Sequence, residues 1–345
     1  MKVDDFTYEL PAECIAQEPA AERDASRLCV LHRRTGRQEH RTFREIVEYL
    51  VPGDLLVLND TRVIPARLRG RFAEGGEVEI LFLRETETGA WEVLLTPSRA
   101  ARPGRRILLA QGAVTATVEE RAAGGRILLC VEYEGTARDL LERCGEVPLP
   151  PYIRRSTGET FLSDRERYQT VYAAADGAIA APTAGLHFTP ALLQDLQARG
   201  IACAFLTLHV GVGTFQPVRV SAVEEHRMEE ERYVIPEETA AAVKAAKASG
   251  RRVIAVGTTT VRALEDAARA SGEVRAGDGI ARTFIYPGYR MKIVDALLTN
   301  FHLPRSTLLM LVSAVASREL ILATYRETIA RGYRFYSYGD AMLIV

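Results

Sequence analysis

The spacing of apolar runs changes twice along this 345-residue chain, and that change constrains the fold more than any other feature. Between Ala66 and Glu146, short apolar runs such as EVEILFL, WEVLLT and RILLCVEY alternate with turn-forming EGG, ETG, RPGR and AAGG. Close spacing without a helical period predicts a small antiparallel β-barrel. A short helix, ARDLLERCG, follows, and three prolines in VPLPPYIRR then predict a stiff linker.

Beyond Ala178 the pattern alternates between strand and helix. IACAFLTLHV and RRVIAVG predict strands, and PEETAAAVKAAKASG predicts a helix with a Pro start and a Gly stop. Thr189 is placed to cap a helix that begins at Pro190. Upstream, FREIVEYLVPGD predicts a short amphipathic helix and DLLVLND a buried strand. We therefore predict an open, barrel-like α/β main domain, residues 1–65 plus 147–345, with an inserted small antiparallel β-barrel domain, residues 66–146.

The composition says more about the cellular compartment of the protein than about its binding partner. The formal net charge of -1 gives no reason to expect a polyanion, so local patches must decide that question. The five cysteines form no C-x-x-C pair, which favours reduced thiols in a cytoplasmic protein. The N-terminus does not resemble a signal peptide. The apolar run from Leu308 to Val312 is far shorter than the ~20 residues of a membrane span, so we expect no membrane association.

Five polar segments follow predicted strands. They are LNDTR (58–62), APTAGLHFT (181–189), LHVGVGTF (208–215), VGTTTVR (256–262) and TNFHLPRST (299–307). Ligands of α/β sheets and barrels bind at the carboxyl ends of strands, so these segments predict one shared site. The alternative is that their Gly, Thr and Asn residues only form turns. Recurrence in five places, three with a histidine, favours the site.

Several familiar motifs are absent. GVGTFQP follows a strand, but Gln216 and Pro217 break the dinucleotide-binding pattern. There is no P-loop and no H-E-x-x-H, and the histidines lack metal-ligand spacing with the cysteines, so we expect no metal. The acidic stretch EEHRMEEERY (224–233) is typical of a solvated face, although one of its carboxylates is an alternative general base.

Arginines cluster in the predicted barrel. They are Arg67, Arg69 and Arg71, and then Arg99, Arg102, Arg105 and Arg106. No acidic residue lies within either group. The pattern is compatible with ordinary surface and with a strip that contacts phosphates.

At the polar segments the sequence resembles the S-adenosylmethionine:tRNA ribosyltransferase-isomerase family of queuosine biosynthesis. The matching stretches extend from residue 5 to residue 343 and include DFTYELP, RDASRL, LNDTRVIPARL, APTAGLHFT, FIYPGYRMKIVDALLTNFHLPRSTLLMLVSA and YRFYSYGDAML. One position departs from the family pattern H-x-M-H-x-E. Glu229 stands where a second His is usual, whereas His226, Met228 and Glu231 match.

The resemblance implies a defined reaction. The ribosyl moiety of S-adenosylmethionine is transferred and isomerised onto 7-aminomethyl-7-deazaguanine at the tRNA wobble position. The products are epoxyqueuosine-tRNA, adenine and methionine. S-adenosylmethionine is then a consumed co-substrate, no metal is expected, and the partner is a tRNA anticodon loop that carries the modified base. We expect the protein to act as a monomer.

The resemblance also implies roles for residues of this chain. His187, His209 and His302 are the candidate acid and base residues, and Asp295 or Glu231 is expected to neutralise the sulfonium or act as base. The expected substrate-binding residues are Asn59, Asp60, Arg62, Thr183, Gly185, Gly211, Gly213, Thr214, Thr258, Thr259, Arg262, Tyr286, Tyr289, Asn300 and Arg305. The expected tRNA-binding residues are Arg67, Arg69, Arg99, Arg102, Arg105 and Arg106.

Two other functional classes stay open on the sequence. Asp295, His302 and Ser306 lie close together and imitate a hydrolase triad, although no G-x-S-x-G motif supports that function. A non-catalytic RNA-binding module would suit the barrel and its arginines, but it leaves the five polar segments without a role.

Overall fold

A computed structural model describes residues 1–155, 161–211, 213 and 218–345, with the side chains of 161 and 162 left out. The strands are β1 Arg27–His32, β2 Arg37–Thr42, β3 Leu55–Asn59, β4 Thr61–Val63, β5 Arg67–Phe72, β6 Glu77–Glu85, β7 Trp91–Thr96, β8 Arg106–Leu109, β9 Val114–Arg121, β10 Ile127–Glu132, β11 Ala175–Ala178, β12 Ala202–Leu208, β13 Glu231–Ile235, β14 Val253–Val256, β15 Gly277–Ala281, β16 Ala296–Asn300 and β17 Ala341–Ile344. The α-helices are α1 Ala137–Cys144, α2 Phe161–Arg167, α3 Pro190–Ala198, α4 Glu237–Ala248, α5 Thr258–Ala267, α6 Thr307–Val315 and α7 Arg318–Ala330.

A mixed nine-stranded sheet organises most of the chain. Its order is β15-β13-β12-β3-β14-β16-β17-β1-β2. The four neighbours β12, β3, β14 and β16 are mutually parallel, with Leu55 opposite both Ala202 and Val253. Their carboxyl ends therefore meet along one side of the sheet, which we call the carboxyl edge.

Both faces of this sheet are covered. In β3 all five residues are buried, and successive residues point into different hydrophobic clusters: Val57 into one, Leu56 and Leu58 into the other. Helices α4 to α7 contribute to the first cluster and α3 to the second. Such continuous burial is typical of parallel strands between helix layers.

A closed antiparallel barrel is built from β10-β7-β6-β5-β8-β9. Trp91 and Ile80 are fully buried in its core, and α1 packs Leu140 and Leu141 against it. The predicted fold class, an α/β protein with an inserted antiparallel barrel, is confirmed. One barrel strand, β5, was not expected as a strand; its sequence RLRGRF buries only Leu68 and Phe72 and leaves its arginines outside the core.

The described chain forms two compact units. The first comprises Met1–Arg62, Pro150–Arg155 and Arg167–Val345, and the second comprises Val63–Leu149 together with residues 161–166. The domain limits proposed from the sequence, 66–146 within 1–345, stay a prediction.

The N-terminal segment differs in detail from its prediction. FREIVEYLVPGD forms a 3-10 helix, Phe43–Glu48, instead of an amphipathic α-helix. Phe43 and Ile46 are its buried residues, and an i, i+3 spacing places two side chains on one side of a 3-10 helix. Thr42 and Glu45 form a capping box, in which the Thr42 amide donates to the Glu45 carboxylate at 2.6 Å.

The predicted cap of α3 is confirmed. The Thr189 hydroxyl accepts a hydrogen bond from the Leu192 amide at 3.1 Å, and Pro190 occupies the first turn.

No single helix in the described ranges has the length and apolarity to cross a membrane. The pair α6 and α7 passes that test together, but the two helices meet at a bend of 110°.

Candidate active site

A cleft of about 680 Å³ lies at the carboxyl edge, within the first unit. Four of the five polar segments contribute to its wall, and LNDTR does not. The lining residues are Tyr152, Ala180, Ala181, Pro182, Thr183, Ala184, Val210, Gly257, Thr258, Thr259, Thr299, Asn300, Phe301, His302, Leu303, Ser306, Leu308, Tyr336 and Ser337. The predicted site residues in this wall are Thr183, Thr258, Thr259, Asn300 and His302.

The turn from β14 into α5 forms one side of the cleft. Gly257 has φ 92° and ψ 151°, a conformation that an L-residue rarely adopts, and it precedes the first turn of α5. Its amide donates to the Leu298 carbonyl at 2.8 Å. The first-turn amides of a helix have no partner within the helix, and the Thr258 and Thr259 side chains line the cleft beside them.

Asn59 connects the strand ends behind the cleft through hydrogen bonds. Its Nδ2 donates to the Leu208 carbonyl at 2.9 Å and to the Thr259 hydroxyl at 3.3 Å. Its Oδ1 accepts from the amides of Leu208, at 2.9 Å, and Thr61, at 3.1 Å. Both ends of this fully buried amide are satisfied inside the protein. Asn59 therefore positions the end of β12 and the first turn of α5.

Asn300 is satisfied at one end only. Its Nδ2 lies 3.1 Å from His187 Nε2 and 3.4 Å from the Asp340 carbonyl oxygen. Its Oδ1 is buried and has no hydrogen-bond partner among the described residues. An unpaired buried acceptor costs about 1–3 kcal/mol, which a ligand with an N–H or O–H donor would recover.

His187 lies behind Asn300 and does not line the cleft. Because Asn300 Nδ2 can only donate, His187 Nε2 accepts, and Nδ1 donates to the Ser26 hydroxyl at 2.7 Å. The ring stacks on Phe43 with centroids 5.0 Å apart. Burial, followed by the charges of Arg334 and Arg23, lowers the His187 pKa to about 3. This imidazole is neutral near pH 7.

His302 is the one predicted histidine in the cleft wall. Its Nε2 lies 2.8 Å from the Thr299 hydroxyl, and its backbone amide donates to the Tyr325 hydroxyl at 3.1 Å. Burial lowers its pKa to about 3. A neutral imidazole can accept a proton, but near pH 7 it holds none to donate as an imidazolium.

Three cleft residues were not singled out from the sequence. Tyr152 and Tyr336 stack with centroids 4.5 Å apart, and the Tyr152 hydroxyl lies 2.6 Å from that of Ser337. Tyr336 has φ 70°, and its buried hydroxyl has no partner in the part of the chain that the structure describes. The segments YRFYSYGDAML and VPLPPYIRR both contain tyrosine, but nothing in the sequence indicates that they contact each other.

Glu231 and Arg262 form a buried ion pair beside the cleft. Their side chains are 4% and 6% exposed, and Arg262 Nη1 donates to Glu231 Oε2. Glu231 Oε1 accepts from the Gly211 amide at 3.1 Å, and Arg262 Nη2 donates to the carbonyls of Ala281 and Glu229 at 3.1 and 3.3 Å. The pair joins β13 and α5 to the third polar segment.

Asp295 lies at the opposite side of the sheet from the cleft. Its carboxylate accepts from Lys247 Nζ at 2.9 and 3.0 Å and from the Val253 amide at 2.9 Å, where β14 and β16 begin. The five residues of β16 separate it from the carboxyl edge by about 15 Å. Ser306 in turn caps α6, accepting from the Leu309 amide at 3.2 Å. The hydrolase triad suggested by the sequence is not assembled.

Four other predicted residues do not line the cleft. His209 Nδ1 lies 2.8 Å from the Thr61 hydroxyl, and burial lowers the His209 pKa. Asp60 accepts from the Thr207 hydroxyl at 2.6 Å, and Arg62 lies 3.4 Å from Asp176. Gly185 packs so closely that a Cβ there would lie 2.0 Å from the Tyr172 hydroxyl.

The remaining predicted substrate residues lie elsewhere. Tyr289 donates to buried Glu265 at 3.0 Å, and Tyr286 packs on Phe284 with centroids 5.0 Å apart. Arg305 is exposed and lies 3.6 Å from Asp4.

The family departure lies beside Gly213. A Cβ at Gly213 would lie 2.7 Å from the Glu229 carboxyl carbon, so the Glu229 side chain covers this glycine. Thr214 lies outside the described residues.

The barrel arginines divide into paired and unpaired groups. Arg67, Arg69 and Arg105 lie 3.1 to 3.6 Å from the carboxylates of Glu79, Glu146 and Glu74, respectively. Arg99, Arg102 and Arg106 are exposed, and no ion pair joins them to any described residue.

The described ranges contain no group of three or more His, Cys, Asp and Glu side chains placed to hold a metal ion. The cleft instead presents hydroxyls, an unpaired amide oxygen, a neutral imidazole and helix amides. An α/β sheet with such a cleft at its carboxyl edge is the arrangement of an enzyme for a small polar substrate.

Comparisons with known proteins identify the family. A family model described as queuosine biosynthesis protein matches residues 3–344. Relatives named S-adenosylmethionine:tRNA ribosyltransferase-isomerase, from Symbiobacterium thermophilum and Geobacter metallireducens, are 53% and 56% identical over 100% of both chains. A crystal structure of S-adenosylmethionine tRNA ribosyltransferase from Thermotoga maritima is 41% identical, covers 99% of this chain and 100% of its own, and has a TM-score of 0.56. The chain belongs to the S-adenosylmethionine:tRNA ribosyltransferase-isomerase family of queuosine biosynthesis. The predicted family and transferase-isomerase class are confirmed.

Proposed function

We propose that this enzyme transfers and isomerises the ribosyl moiety of S-adenosylmethionine onto 7-aminomethyl-7-deazaguanine at the tRNA wobble position. The products are epoxyqueuosine-tRNA, adenine and methionine. In the balanced reaction the aminomethyl nitrogen forms a bond to the rearranged ribosyl carbon skeleton. The bonds to adenine and to the sulfur break, and the positive charge of the sulfonium leaves as a proton.

The observation that carries this proposal is the cleft itself. Its wall is built from the segments that match the family, and it presents hydroxyls, the unpaired Asn300 amide oxygen and the first turn of α5 to a ligand. S-adenosylmethionine carries N–H donors, on adenine and on its ammonium group, that would satisfy Asn300 Oδ1. Its carboxylate suits the first-turn amides of α5.

The residues near the cleft suit different roles. His302, neutral in the cleft wall, is the proposed acceptor for the proton on the carbon next to the sulfonium. Its lowered pKa makes that acceptance transient, so the proton passes onward to the leaving groups or to water. Because Asp295 and Glu231 are engaged in ion pairs with Lys247 and Arg262, we propose positioning roles for both.

The test is adenine release from S-adenosylmethionine, measured with and without tRNA that carries the aminomethyl-deazaguanine. We expect release that depends on this tRNA and equals the amount of modified base. Absence of release while the tRNA remains bound would overturn the proposal. The first variant to make in that event is Glu229→His, which restores the usual family residue.

We further propose that Arg99, Arg102 and Arg106 contact tRNA phosphates, because they are exposed and unpaired among the described residues. Replacing all three by Gln should weaken tRNA binding and reduce the slope of log affinity against log salt by up to about 0.9 for each phosphate that is no longer neutralised. The matched control replaces all three by Lys, which keeps the charge and should keep the slope. Equal slopes for the Gln and Lys variants would contradict the assignment.

A further inference from the structure

A second pocket, of about 280 Å³, adjoins the cleft in the first unit. Its wall contains three arginines, Arg23, Arg167 and Arg334, together with His187. Ser337 lines both the pocket and the cleft, and the hydrogen bond between Asn300 and His187 joins their walls. None of the proposed catalytic steps uses this pocket.

Two of these arginines are held mainly by backbone carbonyls. Arg167 is half-buried and donates to the carbonyls of Ala20 and Ala21, and no ion pair joins it to a described residue. Arg334 donates to the Glu18 carbonyl at 3.3 Å. Carbonyl partners fix the direction of a guanidinium group but leave its positive charge in place.

One acid, Asp340, forms an ion pair with a pocket arginine, and two others, Glu22 and Asp24, pair with an arginine outside the pocket. The Asp340 carboxylate accepts from the backbone amides of Arg27, at 2.9 Å, and Arg334, at 2.8 Å, whereas Arg334 Nη2 lies 3.8 Å away. Glu22 and Asp24 pair with Arg44, at 3.0 and 3.3 Å.

Half-buried guanidinium groups repel one another unless a negative charge neutralises them. Burial is the largest cause of the lowered His187 pKa, and the positive charges of Arg334 and Arg23 lower it further. A planar guanidinium group is also suited to hold two oxygens of a phosphate or carboxylate at once. The pocket therefore has the charge and the donors for an oxyanion, placed next to the cleft.

We propose that the pocket of Arg23, Arg167 and Arg334 binds an oxyanion of a substrate. Two sources share this chemistry: a backbone phosphate of the tRNA next to the modified nucleotide, and the carboxylate of S-adenosylmethionine, which would then lie here instead of at the first-turn amides of α5. The choice between these two sources rests on the proposed function, whereas the presence of an oxyanion site does not.

The experiment measures equilibrium binding to Arg167→Gln and Arg334→Gln. One arm measures the Kd of a tRNA anticodon stem-loop at fixed salt, and the other measures the Kd of S-adenosylmethionine. We expect one of these Kd values to rise at least tenfold while the other changes less than twofold. A rise for the stem-loop identifies a phosphate, and a rise for S-adenosylmethionine identifies its carboxylate. Arg326→Gln, an exposed arginine on α7 without an ion pair to the described residues, is the control for loss of charge.

A third arm needs neither substrate. Inorganic phosphate should raise the thermal midpoint of the wild-type protein and of Arg326→Gln, but not that of the pocket variants. Should a Gln variant fail to fold, Arg167→Lys and Arg334→Lys replace it. They keep the charge but lose the planar guanidinium group, so they should bind the affected substrate several-fold more weakly than the wild type does. The proposal is overturned if the pocket variants match the control in all three arms. Failure of the proposed function would show separately, as absent adenine release by the wild-type enzyme.

Discussion

The two asparagines of the chain look alike in the sequence but differ in the structure. Each is the last residue of a buried strand, β3 or β16, and belongs to a polar segment. Asn59 uses both ends of its amide within the protein, whereas Asn300 leaves Oδ1 without a partner among the described residues. The sequence identifies where such residues lie, but only the packed structure distinguishes a positioning amide from one available to a ligand.

Replacing Asn300 by Ala should weaken binding of S-adenosylmethionine about tenfold or more, because a hydrogen bond to the unpaired oxygen is worth about 1–3 kcal/mol. Calorimetric titration measures this effect. Asn59→Ala is the comparison: it leaves the buried amide and carbonyl of Leu208 unpaired, so its main effect should be a lower free energy of unfolding. Unchanged affinity in Asn300→Ala would contradict the assignment of this oxygen to the ligand.

The two adjacent glutamates Glu231 and Glu230 provide a matched test of burial. Glu231→Gln leaves the Arg262 charge buried without its partner, and we expect a loss of about 3–5 kcal/mol in the free energy of unfolding. Glu230 pairs with Arg282 at 2.7 Å, but both side chains are 58% exposed. Glu230→Gln should therefore match the wild type in urea denaturation. Similar midpoints for the two variants would show that the buried pair does not stabilise the fold.

A short distance in the sequence does not place Asp295 in the cleft. The resemblance made Asp295 a candidate to neutralise the sulfonium or act as base, and it precedes Asn300 by only five positions. The five positions after Asp295 form β16, which crosses the sheet. Asp295 therefore lies at the end of the sheet opposite the cleft, where it forms an ion pair with Lys247. Tyr152 and Tyr336 show the converse: they are 184 positions apart in the printed sequence, yet they stack in the cleft. Only long-range packing places such residues together.

At the scale of elements, the beginning of α5 depends on the backbone of Gly257. A Cβ there would meet nothing closer than 3.6 Å, so space is not the constraint. The constraint is φ 92° with ψ 151°, which costs a side-chain-bearing residue about 1–3 kcal/mol. Gly257→Ala should lower the free energy of unfolding by that amount and weaken S-adenosylmethionine binding, since the first turn of α5 lines the cleft. Gly211→Ala, with open space and no positive φ, is the control for the free energy of unfolding only, because Gly211 is itself an expected substrate-binding residue. Equal free energies of unfolding for Gly257→Ala and Gly211→Ala would contradict a role for the Gly257 conformation.

Elements with strong periodicity or clear caps were predictable. Strands β12 and β14 and helix α4 follow the apolar pattern, and Thr189 caps α3 as expected. The apolar pattern does not predict the hairpin of β1 and β2, because β2, RQEHRT, contains no apolar residue. Strand β2 is instead stabilised by pairing with β1 along its whole length.

At the scale of the molecule, the histidines make stability depend on pH. Of the six histidines, five have a lowered pKa, with burial as the largest cause: His40, His187, His209, His226 and His302. Below about pH 6.5 the unfolded chain binds protons that the folded chain excludes. The free energy of unfolding should therefore fall as pH is lowered from 7 to 5, with a slope approaching about 1.4 kcal/mol per pH unit for each fully buried histidine.

Urea denaturation between pH 5 and 7 measures this slope. Hydrogen bonds with Arg37 and His32 lower the pKa of the Glu39 carboxylate to about 2. Such carboxylates lose their contribution to the free energy of unfolding only below their unfolded pKa of 4.5. The double variant with His187→Asn and His302→Asn should have a shallower slope in that window. A slope identical to that of the wild type would contradict the attribution to these two residues.

The position of β17 in the sheet has a consequence for the order in which the protein is made. Strand β1 pairs with β2 on one side and with β17 on the other, and the Arg27 amide bonds to Asp340 across 313 residues of sequence. During synthesis the hairpin of β1 and β2 leaves the ribosome long before its parallel neighbour exists. The two flanks of the sheet therefore join only once β17 has emerged. Until that moment the nascent chain exposes an apolar strand edge, which is the surface that a chaperone would recognise.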